Sequence, residues 1–203
     1  MTMGLHLGHV EIRLFGVMAA MGMSLWVGCN PFTTRQPEPP ETEKRTPVRN
    51  PVSSIDVLYN LRATCENLSP TQYLETLSED FVFVPDPEDS VNFSNAFPPG
   101  QVWDKARETV FAHNFLNDRT TQSIQFKNWP PDLVESSTDG RRHRYEYKYD
   151  VIIDHLRNAP KAIQGISDLF LREEEDGHWT LYRWRDERIS AVARTWGELR
   201  ARF

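Results

Sequence analysis

Cysteine is nearly missing from this chain. Two residues, Cys29 and Cys65, among 203 cannot supply the disulfide framework of a small secreted domain, so the fold must rest on a buried core. Glycine is sparse and, beyond residue 28, never clustered. Gly100, Gly140, Gly165, Gly177 and Gly197 stand alone, which excludes a glycine-rich phosphate loop. Basic charge is also short, with 23 Lys and Arg against 29 Asp and Glu and a net charge of −6. An acidic balance without a basic tract argues against a nucleic-acid partner. His113, His143, His155 and His178 stand at no ligand spacing with one another or with a pair of carboxylates, so no metal site and no cofactor is expected. No serine or cysteine nucleophile is announced by an activating neighbour.

The two cysteines differ in setting. Cys65 falls on the spacing Ile55, Leu58, Leu61, Cys65, Leu68, the apolar face of a helix, where a free thiol behaves as a small hydrophobe. Cys29 ends the apolar run of residues 14–28, which is short for a membrane-spanning helix and has the layout of a secretory signal. Val27-Gly28-Cys29 resembles the bacterial lipobox, and that resemblance implies cleavage before Cys29 and lipidation of its side chain. An ordinary signal peptide or an uncleaved anchor is the competing reading. The expected organisation is a signal peptide over 1–28, a lipid-anchored, proline-rich tether over 29–51 and one domain over 52–203. The tether (NPFTTRQPEPPETEKRTPVRN) is charged and nearly free of aliphatic residues, a composition that cannot build a core. It would hold the domain in the periplasm, with the outer membrane favoured because Asn30 replaces the aspartate of inner-membrane retention.

Within 52–203 the pattern predicts helices over 51–68, 69–80 and 103–116, the second opened by Ser69-Pro70-Thr71-Gln72, a serine cap with proline in the first turn. A short strand over 81–84 is stopped by Pro85 and Pro87, and a polar loop is expected to Gly100. Strands follow over 122–129, 142–155, 162–172 and 178–187. In 142–155 the residues Tyr145, Tyr147, Tyr149, Val151 and Ile153 alternate with Arg144, Glu146, Lys148 and Asp150, so the sheet is covered on one face only. Trp179 and Leu181 have one parity and Trp184 the other, which calls for a bulge near Tyr182-Arg183. Thr195-Trp196-Gly197-Glu198 opens a short closing helix. The fold class is therefore α+β, an antiparallel sheet packed on about three helices; a curved sheet is what the resemblance given next implies.

This order, together with YLETLSEDF at 73–81 and DGHW at 176–179, resembles the nuclear transport factor 2 superfamily, the cone shared by ketosteroid isomerase and scytalone dehydratase. Trp184-Arg185-Asp186 followed by 195–199 is similar to uncharacterised bacterial lipoproteins that carry this domain. Carried over residue by residue, the resemblance to ketosteroid isomerase implies Asp86 as base, with Tyr59 and a protonated Asp168 as donors to an enolate; the pattern is that enzyme's own. The bland readings stand beside it. Asp86 lies between prolines as a turn residue does, Tyr59 needs only one hydrogen-bond partner, and Asp168 would be satisfied by a cross-strand partner such as Arg183. Phe111, Tyr145, Tyr147, Tyr149 and Trp184 either line a ligand cavity or fill a core.

Two functions follow. One is a non-catalytic, lipid-anchored domain that binds a small hydrophobic ligand or an envelope protein. The other is an isomerase or dehydratase working next to a carbonyl. A homodimer through the outer sheet face stays open, although the charges of Arg144, Glu146, Lys148 and Asp150 argue against a dry interface.

Overall fold

The computed structural model describes residues 45–116, 119 and 121–203; the expected signal segment, Cys29 and most of the expected tether lie outside them. Helix α1 (Ser54–Glu66) begins at Ser53, whose side chain accepts from the Asp56 amide and so satisfies one of the unpaired donors of the first turn. It buries Val57, Leu58, Leu61 and Cys65, while Ile55, placed by sequence on the apolar face, is exposed. Helix α2 (Pro70–Glu75) has Ser69 at its cap position, but without a side-chain bond, and it stops at Glu75. The expected helical stretch to residue 80 is instead strand β1 (Leu77–Val84), twice the length foreseen.

The expected loop to Gly100 contains helix α3 (Pro87–Asn92), capped by Asp86. Trp103 and Asp104 form a two-residue strand, β2, ahead of helix α4 (Lys105–Leu116). Strands β3 (Thr121–Lys127), β4 (Asp132–Ser136), β5 (Arg142–His155), β6 (Ala162–Glu173) and β7 (Trp179–Glu187) follow, and α5 (Trp196–Arg202) closes the chain. β4 was not anticipated, because all five of its residues are exposed and no alternation marks it.

The strands form one sheet in the order β2-β1-β7-β6-β5-β3, with β4 pairing the other end of β5. Every pairing is antiparallel except β1 with β7. The β6–β7 register shifts between Phe170 and Leu171, so that Phe170 faces Arg183 and Leu171 faces Leu181. Tyr182 is therefore the extra residue, where the tryptophan parity called for a bulge. One face of β5 buries Tyr145, Tyr147, Tyr149, Val151 and Ile153, and the helices pack on that face. Gly165 of β6 leaves room for the Tyr149 side chain of β5 to lie over it and for the end of β7 beside it, since a Cβ there would stand 2.3 Å from the Tyr149 hydroxyl and 2.6 Å from the Glu187 carbonyl.

Candidate functional site

Carrying the bulge forward along β7 turns Trp184 and Asp186 to the covered face, and Asp186 is 1% exposed. Its carboxylate accepts from the Tyr149 hydroxyl at 2.9 Å and from the Gly197 amide at 3.1 Å. Burial pushes its pKa up to about 7, against the pull of those two donors. The Trp196 amide in turn donates to the Tyr149 hydroxyl at 3.3 Å. A second buried carboxylate, Asp89 of α3, accepts from the Thr195 hydroxyl and pairs with Arg188. Burial raises its pKa as well, opposed chiefly by Thr195 and Arg188 and aided by Asp86. A Cβ at Gly197 would lie 2.6 Å from an Asp89 oxygen, so only glycine lets the start of α5 reach both acids.

The rest of α5 goes into the interior. Trp196 packs on Phe126, Tyr149 and Trp184 with ring centroids 5.2–6.1 Å apart. Arg200, one helical turn on, pairs with Glu108 of α4, and both side chains are 0% exposed. Glu108 also accepts from the Tyr73 hydroxyl and from the Trp103 indole at 2.6 Å, so its lone pairs are taken up. The Arg200 guanidinium lies 3.9 Å from the Phe83 ring centroid and 4.7 Å from that of Trp184. A fully buried ion pair persists only when hydrogen bonds satisfy its remaining valences, which this cage does.

The three residues implied for catalysis are not brought together. Tyr59 is half-buried, with the Arg49 guanidinium 3.6 Å above its ring. Asp86 caps α3 through the Glu88 amide at 2.8 Å and accepts from the Arg188 amide at 2.9 Å, the role of a structural turn residue. Asp168 has the opposite strand parity to the core residues Ser167 and Leu169 and lies on the outer face, paired with Arg144 at 3.2 Å and with Arg185. Its partners differ from the expected Arg183, which the bulge places opposite Phe170 instead.

The five residues named as a ligand lining all face the interior, and their polar atoms already have protein partners. Tyr145 bonds Ser54 at 2.9 Å, Tyr147 donates to the Lys127 carbonyl, and the Trp184 indole donates to Ser167 at 2.9 Å. Phe111 stacks on Phe115 with centroids 5.3 Å apart.

Sequence reasoning passed over Asp186, Glu108 and Arg200, although each carried a signal. Asp186 is two residues beyond the inward Trp184, Glu108 is three before Phe111, and Arg200 is four after Trp196. The contact of the Ser54 hydroxyl with His143 Nδ1 at 2.7 Å had no such signal, since 89 residues separate them. That hydroxyl is buried and bonded to Tyr145 as well, which makes it a core hydrogen bond rather than an open nucleophile. Among the described residues, no group of three or more His, Cys, Asp or Glu side chains is placed to hold a metal.

The openings lie outside this interior. A groove of about 700 Å³ runs between α2, α4 and β1, lined by Leu74, Leu77, Lys105, Thr109, His113 and Arg172. A smaller one of about 280 Å³ is walled by Val84, Phe97, Pro98, Val102 and Trp103.

No family model matches the sequence, and no curated protein does. Solved structures match the fold. A candidate scytalone dehydratase from Novosphingobium aromaticivorans aligns over 70% of this chain and 89% of its own, with a TM-score of 0.50 and 11% identity. A candidate aromatic ring hydroxylase from the same organism covers 76% of this chain and 99% of its own, at a TM-score of 0.49 and 13% identity. A nuclear transport factor 2-like protein from Salmonella enterica covers 68% and 89%, at 0.47 and 12%. The domain has the nuclear transport factor 2-like fold, an open curved sheet of seven strands with five helices among the described residues. Fold alone assigns no reaction.

Proposed function

We propose that this chain is an exported domain, lipid-anchored at Cys29, that works without catalysis by binding an envelope protein over its surface. The observation that carries this reading is the occupied interior. Trp196, Leu199 and Arg200 fill the concave side of the sheet, the space in which an enzyme of the ketosteroid isomerase type would hold its substrate. Tyr59, Asp86 and Asp168 lie apart: on the face of α1 under the Arg49 guanidinium, at the start of α3 and on the outer sheet face. A proton-transfer mechanism through these three residues has no common point of attack. Binding of a small hydrophobic ligand remains as a second reading, supported by the apolar groove at Phe97 and Trp103.

The test uses the tryptophans built into the domain. Trp184 and Trp196 are 4% and 2% exposed, and any planar apolar molecule entering the interior must change their emission. Titration with 2-naphthol to about 1 mM, the weak end of ligand affinity, is expected to leave that emission unchanged. Saturable quenching that persists in Trp103→Phe would overturn the reading and return the interior to the list of binding sites, whereas quenching lost in that variant would place the molecule in the groove at Phe97 and Trp103.

A further inference from the structure

The groove at Phe97 and Trp103 has a firm frame. Its lip is the turn Pro98-Pro99-Gly100-Gln101, closed by the Gln101 amide donating to the Pro98 carbonyl at 3.1 Å, with Gly100 at φ 77°. Proline in the second place and a left-handed glycine in the third are what a type II turn demands, so the lip is rigid. The walls are rings. Phe97 and Trp103 stand 5.2 Å apart by centroid, and Phe83 lies 6.4 Å from the same indole. Glu108 accepts from the Trp103 indole N–H at 2.6 Å on the inner side, which fixes the plane of that wall. In a chain that is 26% charged, none of the twelve residues lining the groove carries a charge.

Size and charge decide what fits. A volume of about 280 Å³ falls below the roughly 300–1,000 Å³ of sites that enclose a whole small molecule. Val102 on the lip and Val91, beside the lining residue Ser90, are exposed apolar surface. This shape suits one large apolar side chain anchored from a protein surface. At the Trp103 wall stands Arg107, its guanidinium carbon 5.3 Å from the ring centroid. It makes no ion pair among the described residues, and its Nη1 is enclosed without an acceptor, a donor that folded proteins seldom leave unmet. The neighbouring Asp104 carboxylate is engaged by the Arg107 amide at 3.0 Å.

We propose that the partner protein docks in this groove with an aromatic side chain flanked by a carboxylate, the ring against Phe97 and Trp103 and the acid on Arg107. The assignment rests on the surface-binding reading above and gives it a place. Net charge does not oppose it. At about 0.15 M salt the screening length is about 8 Å, so the cation at the wall decides rather than the −6 of the whole chain.

The test follows the nitrogen-15 spectrum of the full-length Cys29→Ser chain in detergent. A blocked peptide with phenylalanine between two aspartates is added to about 5 mM, above the millimolar Kd of a weak ligand. The Trp103 indole signal and the Gly100, Gln101 and Val102 amides are expected to shift together and saturate. Alanine in place of the phenylalanine should abolish the shifts. Lysines in place of the aspartates should weaken binding about tenfold, the effect of one hydrogen bond to a charged group. Arg107→Gln should remove the difference between the acidic and basic peptides while the ring still shifts the same signals. No shift at these four signals, or equal affinity for the two peptides in the parent chain, would overturn the proposal and leave the partner elsewhere on the surface. Quenching by 2-naphthol that Trp103→Phe abolishes, beside silent peptides, would overturn the surface-binding reading as well, because the groove would then hold a small molecule.

Discussion

Asp186 is an acid with almost no water around it. Its folded pKa of about 7 lies above the usual aspartate value of 3.8, so the folded chain binds a proton that the unfolded chain releases. The stability linked to this group is fully present below pH 4 and is lost as pH rises through 7. Asp186→Asn keeps an acceptor for the Gly197 amide and removes the titration. In urea unfolding, the variant should lose less stability than the parent between pH 5 and pH 8, by about 2–3 kcal/mol at 1.36 kcal/mol per unit. Equal losses would mean that Asp186 is not a buried acid. Asp89 shifts in the same direction, so the slope of the variant flattens without vanishing. Cys65 belongs to the same setting: it is free and buried, and burial pushes its thiol far up, which makes it inert as a nucleophile.

Helix α5 is only seven residues long and could not persist alone. Its stability comes from the acids that meet its first turn and from the ion pair that Arg200 makes inside. Thr195 caps it through the Glu198 amide at 3.1 Å, as the four-residue signature required. Glu198 does not complete the box; it turns to Arg194 and Arg202 instead. Arg200→Met strands the Glu108 carboxylate in the interior, and denaturant titration should register a loss of about 3–5 kcal/mol. Adding Glu108→Gln should restore part of it, because glutamine is neutral, its carbonyl can still accept from the Trp103 indole, and its amide can donate to the Tyr73 hydroxyl on the other side. A single-variant loss under about 1 kcal/mol would place Arg200 in solvent.

At the scale of the whole chain, the open question is where the domain resides. If Cys29 carries lipid, Cys29→Ser should move the protein from membrane pellet to soluble extract in cell fractionation; retention in the pellet would sink the lipoprotein reading. The outer sheet face bears on oligomers. Asp168 is held by Arg144 and Arg185, Asp80 by Arg172, and Lys127 stands 3.9 Å from Asp150. A partner seated there must desolvate pairs that already satisfy one another, which disfavours a dry dimer on that face.

The alternation in 142–155, the tryptophan parity in β7 and the Thr195 cap were legible without coordinates, because each depends on neighbours within a few residues. The fold class followed from them. Local pattern also marked Asp186 and Arg200 as inward, but not what they meet there. The turn setting of Asp86 and the prospect of a cross-strand arginine for Asp168 spoke against an active site before the structure placed them, although the arginines that hold Asp168 are Arg144 and Arg185. The short helix α3 and the exposed strand β4 left no periodic trace, since neither presents a clean apolar face. What only the tertiary structure decided was the occupant of the concave side. Glu108 and Arg200 are separated by 92 residues, and Asn60 finds Arg49 by the chain doubling back on α1. Such pairings arise from how elements close on one another, and that closure is set by packing the whole core at once rather than by any local run of sequence.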